Sequence, residues 1–258
     1  MSSTNEIRRS DVYPGPFSSN HKFPHRKMLV TFCSNNKNNT INAALDLLTI
    51  AGLKPDEKRL NEIFDNKLFY ADYYILPVFR AKKSIDSYLE SLLFTDEVVL
   101  FENERKHLNQ KFIDACFIFD IPIRFIRKDP VCNAYRFVSD DEIKLEKDTS
   151  RINELIEELA FEDYSRYPKM EIDVDYASTA FWINGVNLQS NVPYVVIPQL
   201  LYRRIYEWAD AYWTFSTFNY DDDFVDKYEE ESKWIYNELK ARIGQNVKLS
   251  LSENFETN

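Results

Sequence analysis

Glycine occupies only four of the 258 positions: Gly15, Gly52, Gly185 and Gly244. At average usage of about 7%, about eighteen would be expected. Glycine is the residue that lets a backbone press close to a phosphate or take positive φ at no steric cost. A chain this poor in it has little material for a phosphate-cradling loop. It carries neither a P-loop nor the dinucleotide fingerprint. Recognition is therefore expected to run through side chains.

The side chains suit a packed core. Apolar residues make up 44% of the chain, and nineteen Phe, sixteen Tyr and four Trp supply large buried area. Lys and Arg number 32 against 42 Asp and Glu, a net charge of −10. That balance opposes nucleic-acid binding, which draws its affinity from basic side chains displacing counterions. It suits solubility, or a basic protein partner. The cysteines, Cys33, Cys116 and Cys132, have no metal-ligand spacing and read as buried free thiols in a reducing compartment. No apolar run approaches the length of a membrane span, and no apolar segment follows the N-terminal charges. A cytoplasmic protein without a secretory leader is expected.

Residues 1–27, with three prolines and no apolar period, read as a flexible arm. Residues 28–128 alternate strand and helix signals. Strands are expected at 28–33, 73–79, 97–101 and 121–126. Pro77 inside the second points to an edge or a bulge. Helices are expected from Thr40 to Gly52, from Asp56 to Phe64, after a Ser84 cap, and over the stripe Leu108, Phe112, Ala115, Cys116 and Phe119. Such alternation implies crossover connections and a mainly parallel, Rossmann-like α/β sandwich.

Residues 129–169 form an acidic linker, with ten acids against three bases between Asp140 and Asp163. A helix from Arg151 to Phe161 would turn Ile152, Leu155, Ile156 and Leu159 inward. Residues 170–258 read as a small α+β unit. It starts with alternating strands around an Asn184-Gly185 turn. One helix opens at Pro198, with Leu201, Ile205, Trp208 and Tyr212 aligned, and another runs from about Asp222 to Ile243. Residues 247–251 can return to the sheet.

Two groups of side chains are candidates for function. The first combines Trp208, Tyr212 and Trp213 with Asp221, Asp222, Asp223, Glu229 and Glu230. The three aspartates suit a helix N-terminus, where the macrodipole favours carboxylates. Glu229 to Glu231 lie too far inside for that role and read as a solvated face or a docking surface. The run lacks calcium-loop spacing. The aromatics of the helix opening at Pro198 point in several directions around its axis, which reads as a helix buried on most sides, or as an exposed interface patch that Arg203 and Arg204 would fit. The second group comprises Ser34, Asn35, Asn36, Arg80 and Glu102, which follow predicted strands where α/β proteins place ligands. Arg80 would hold an anion and Glu102 would serve as a base. His21, His25 and His107 show no convergent ligand pattern, so neither a metal nor a cofactor is expected.

The segments Ala71-Asp72-Tyr-Tyr-Ile-Leu, Thr95-Asp-Glu-Val-Val-Leu-Phe101, Asn109 to Ala115 and Ile121 to Ile126 resemble the nucleoside 2-deoxyribosyltransferase-like and related Rossmann-like nucleotide-binding families. Those families carry a nucleophilic glutamate four residues before the alanine matching Ala115. Lys111 stands there in this chain. The resemblance thus implies the scaffold without the catalytic residue. The residues favour a non-catalytic, acidic protein that engages a basic protein partner, in the manner of immunity proteins that neutralise nuclease toxins. A nucleotide- or nucleoside-binding sensor or enzyme, and a subunit of a larger assembly, are the alternatives.

Overall fold

The computed structural model describes residues 15–18, 26–31, 73–77, 84–139, 142–143, 145–174, 180–188, 194–216 and 222–252, with isolated positions 38, 41, 42, 45, 46, 49 and 58. The chain is a mixed α/β protein with two compact units, Pro24–Ile152 and the combination of Met1–Phe23 with Asn153–Asn258. The divide falls inside the acid-rich helix expected as a linker, and the first residues of the chain belong with the C-terminal unit.

In the N-terminal unit β1 (Arg26–Thr31) lies between β2 (Tyr73–Pro77) and β3 (Thr95–Phe101), and β4 (Ile123–Lys128) follows β3, all parallel. β5 (Tyr135–Phe137) closes the order β2-β1-β3-β4-β5 and runs antiparallel to β4. The sheet is therefore mixed, because the short loop from β4 to β5 leaves no room for a crossover. Pro77 lies on β2, the edge strand, where a residue without an N–H is tolerated. Val98, Val99 and Leu100 of the central strand are all fully buried, as expected for a strand covered on both faces.

One helix precedes β3 in the chain and another follows it. Ser84 caps α1 (Ile85–Leu92) by accepting from the Ser87 N–H at 3.3 Å. Tyr88, Leu89 and Leu92 form its buried stripe. Asn109 caps α2 (Gln110–Ile118), which packs on α1 through Phe112 and Tyr88, their rings 5.3 Å apart. Cys116 is buried there, and burial pushes its thiol well above the ordinary range. Cys132 departs from expectation: it stands exposed in the β4–β5 loop, which is too short to fold back over it. The expected helices around residues 40–52 and 56–64 are seen only at the isolated helical positions above and otherwise lie outside the described residues, as does Cys33.

The C-terminal unit contains the larger part of α3 (Thr149–Arg166). Its sheet comprises β6 (Lys169–Ile172), β7 (Phe181–Ile183), β8 (Val186–Asn187) and β9 (Lys248–Leu251), in the order β8-β7-β6-β9. β9 pairs parallel with β6, so residues near the C-terminus do return to the sheet. α4 (Gln199–Ser216) and α5 (Asp222–Ile243) pack on each other. Phe181 meets Tyr202 of α4 at 5.5 Å, which joins the sheet to the helix in one core.

Backbone shape meets the shortage of glycine by another route. Of the described residues with positive φ, Asp120 (53°), Asn133 (60°) and Asn184 (52°) are Asx residues, and only Gly185 (76°) is glycine. Asp and Asn tolerate this region because their short polar side chains bond locally. Asn184-Gly185 forms the expected hairpin turn between β7 and β8, with both central residues left-handed.

Two predictions follow from these local arrangements. The Tyr202 hydroxyl accepts from the Tyr194 N–H at 3.0 Å and donates to the Tyr194 carbonyl at 3.1 Å. Tyr202→Phe strips both backbone groups of their partner and should lower stability by about 1–3 kcal/mol in urea unfolding. Asp129 accepts from the Val131 and Cys132 N–H groups, which holds its carboxyl below the ordinary range. Its contribution is present above the unfolded-state value and is lost as pH falls through the lower folded value. Asp129→Asn should therefore flatten the acid limb of a stability–pH profile without changing its slope near neutrality.

Candidate functional site

The candidate partner-binding residues lie on or beside α4 and α5, where the described aromatics and the described acids have different surroundings. Among the described side chains of α4, no aromatic ring is exposed. Trp208 and Tyr202 are fully buried and Tyr212 is half-buried. The helix runs between the sheet on one side and α5 on the other, so its rings point into the core from more than one direction. Trp208 stacks on Tyr228 of α5 at 5.1 Å and donates its Nε1–H to the Tyr228 carbonyl at 3.3 Å. Tyr212 and Phe224 also pack on Tyr228, at 6.1 and 5.7 Å. The Trp213 side chain and Asp221 lie outside the described residues.

Burial extends to charge. Arg203 and Glu207 are each 1% exposed and four residues apart, on one face of α4. Arg204 makes a two-armed ion pair with Glu231 of α5, Nε to Oε1 at 2.5 Å and Nη2 to Oε2 at 2.7 Å. Its guanidinium also lies 3.5 Å from the centre of the Trp234 ring. Planar stacking plus a forked donor is what guanidinium does and ammonium does not. Arg203 is thus buried, and Glu231 and Trp234 of α5 flank Arg204.

The acids of α5 divide by face. Glu231 is buried in the pair above. Glu229 is half-buried and lies 3.9 Å from Lys233, one turn on. Asp222, Asp223, Asp226 and Glu230 are exposed.

A stronger surface feature was missed. Phe161 of α3 is 74% exposed, flanked by exposed Glu154, Glu157, Glu158 and Glu162. The signal was present in the spacing. Phe161 follows buried Ile152 by nine residues, about two and a half turns, which puts it on the opposite face.

The second candidate group is largely out of view: Ser34, Asn35, Asn36 and Arg80 lie outside the described residues. Glu102 does follow β3, at the carboxyl end of the parallel strands. Arg127 of β4 grips both its oxygens, Nε to Oε2 at 2.7 Å and Nη2 to Oε1 at 2.8 Å. Arg127 also pairs with Glu142 at 2.8 Å, and these partners raise the guanidinium above its ordinary range, the Glu102 hydrogen bonds foremost. Both Glu102 oxygens are thus engaged by one guanidinium, the forked geometry of a charge-assisted pair.

Among the described residues, no three His, Cys, Asp or Glu side chains converge as metal ligands, and no helix is long and apolar enough to cross a membrane. No family model, curated protein or solved structure matches this chain.

The buried pair is directly testable. Glu231→Ala leaves Arg204 in the interior without its counter-charge and should cost about 3–5 kcal/mol by chemical denaturation. Replacing both partners, Arg204→Met with Glu231→Leu, should recover most of that loss, since neither change then strands a charge.

Proposed function

We propose that this chain is a non-catalytic binding protein that docks a basic protein partner on an acidic helical exterior. The observation that carries this reading is Phe161 on α3: an aromatic ring 74% exposed among Glu154, Glu157, Glu158 and Glu162. An aromatic anchor within a field of one sign is the arrangement that interfaces use. The ring supplies buried area, while the carboxylates steer a cationic partner and fix its register. The exposed acids of α5, Asp222, Asp223, Asp226 and Glu230, extend the same negative character. The net charge of −10 is consistent with it.

A second reading rests on topology. The chain runs from β1 to β2 on one side and then crosses back past β1 to β3 on the other, so the strand order reverses between β1 and β3. In α/β sheets such a switch point opens a crevice at the strand carboxyl ends where small ligands bind. A Rossmann-like nucleoside or nucleotide sensor would use that crevice. A thermal-shift screen separates the two readings: a rise in melting temperature with a nucleoside or nucleotide favours the sensor and counts against the binder.

For the primary reading, the full chain is tested against a set of basic proteins by surface plasmon resonance over a salt series. A genuine partner should lose affinity on Phe161→Ala by about 10-fold or more, the scale of an interface anchor. Glu157→Lys with Glu158→Lys should slow association and reduce its salt dependence. A bound protein whose affinity neither change alters would reject α3 as the docking face.

A further inference from the structure

Residues 15–18 do not behave as a loose arm. Pro16 is exposed, whereas Phe17 is 8% exposed, in a turn closed by the Ser18 N–H donating to the Gly15 carbonyl at 3.2 Å. The Gly15 N–H donates to Ser18 Oγ at 2.7 Å, a second bond inside the same four residues. The turn is thus held by its own hydrogen bonds, with Pro16 in the position where proline presets φ.

The turn sits on α4 and α5. The Phe17 ring lies 5.1 Å from Phe224 and 5.7 Å from Tyr228, centre to centre. Ser18 Oγ donates its proton to Glu207 Oε2 at 2.5 Å, supplying a donor to a carboxylate that is 1% exposed. Arg204, held by Glu231 and Trp234, crosses Gly15 so closely that a Cβ there would lie 2.7 Å from its Nε. Each position thus has its own requirement: no side chain at the first, an aromatic ring at the third, and a hydroxyl at the fourth. These contacts come from residues 204–231 of the C-terminal unit, while β1, the next described element, belongs to the other unit.

We propose that this groove on α4 and α5 is a recognition site for a Gly-Pro-aromatic-Ser turn of a partner protein, and that residues 15–18 occupy it as the chain's own stand-in. The inference does not depend on the α3 face. It follows from portability: the turn is closed internally, no strand pairing holds it, and every group that reads it lies on two helices. A segment of the same chemistry in another chain would make the same contacts. The partner turn binds where the chain's own turn has left, so its apparent affinity scales with the open fraction of the groove.

The test uses the full chain and a fluorescently labelled peptide of residues 11–22, with fluorescence anisotropy as the readout. Phe17→Ala removes the ring that seats the turn, and Gly15→Val drives it off Arg204. Both variants should bind the peptide at least about tenfold more tightly than the parent, whose groove is filled. The same peptide with Ala in place of Phe should fail to bind either variant. Equal binding to parent and variants, or no binding to either variant at about 1 mM peptide, overturns the proposal. Loss of the cooperative melt in both variants also overturns it, because the turn is then part of the core. A parent dimer that Phe17→Ala converts to monomer overturns the partner in favour of a second copy of this chain.

Discussion

The ion pair between Arg204 and Glu231 constrains the C-terminal unit more than any other contact. Two opposite charges, 14% and 4% exposed, have left water together, and neither can remain buried without the other. Their meeting sets the register of α4 against α5. That register in turn stacks Trp208 on Tyr228, with its indole N–H on the Tyr228 carbonyl. It also brings Arg204 over Gly15 and Phe224 and Tyr228 around Phe17. Moving either helix by one turn would strand a charge and break the aromatic stack at once.

The same rule recurs in the N-terminal unit with less burial. Asp114, 5% exposed, is held by two arms of Arg151 and by the Gln110 amide. Glu97 meets Arg124, whose guanidinium also covers the Phe137 ring at 3.7 Å. Glu102 meets Arg127. Each of these three acids meets an arginine, whose planar fork engages both oxygens of Asp114 and of Glu102. Among the described residues, further acids stand outside on α3 and the first half of α5, with Arg166 and Lys227 exposed on the same helices. The acids of the described residues thus divide: some stabilise the fold in pairs, and others are presented to solvent on α3, around Phe161, and on α5.

Much of the architecture was legible in the sequence because periodicity is a local property. The stripe of Tyr88, Leu89 and Leu92, the Ser84 cap, the edge position of Pro77, the Asn184-Gly185 turn and the return of the last strand can each be read within about a dozen residues. The strand ends slipped by two residues or so, which is where hydrogen bonding to neighbours outweighs local pattern. The candidate site was less legible. Trp208 and Arg203 admit both a buried and an interface reading, because a helix rich in aromatics and arginine looks the same in sequence whether one of its faces is covered or two.

The sequence by itself determined that backbone cradling of a phosphate was disfavoured, that strands and helices alternate in the N-terminal half, and that the chain carries a surplus of negative charge. Composition and short-range spacing suffice for such properties. Only the tertiary structure decided which charges are inside. Glu231 reaches Arg204 across 27 residues, and Glu207 reaches Ser18 across 189. A carboxylate has no local signature that tells a buried partner from bulk water. Its environment is set by whatever distant segment folds against it, and a helix face becomes a groove only when a second helix closes one side.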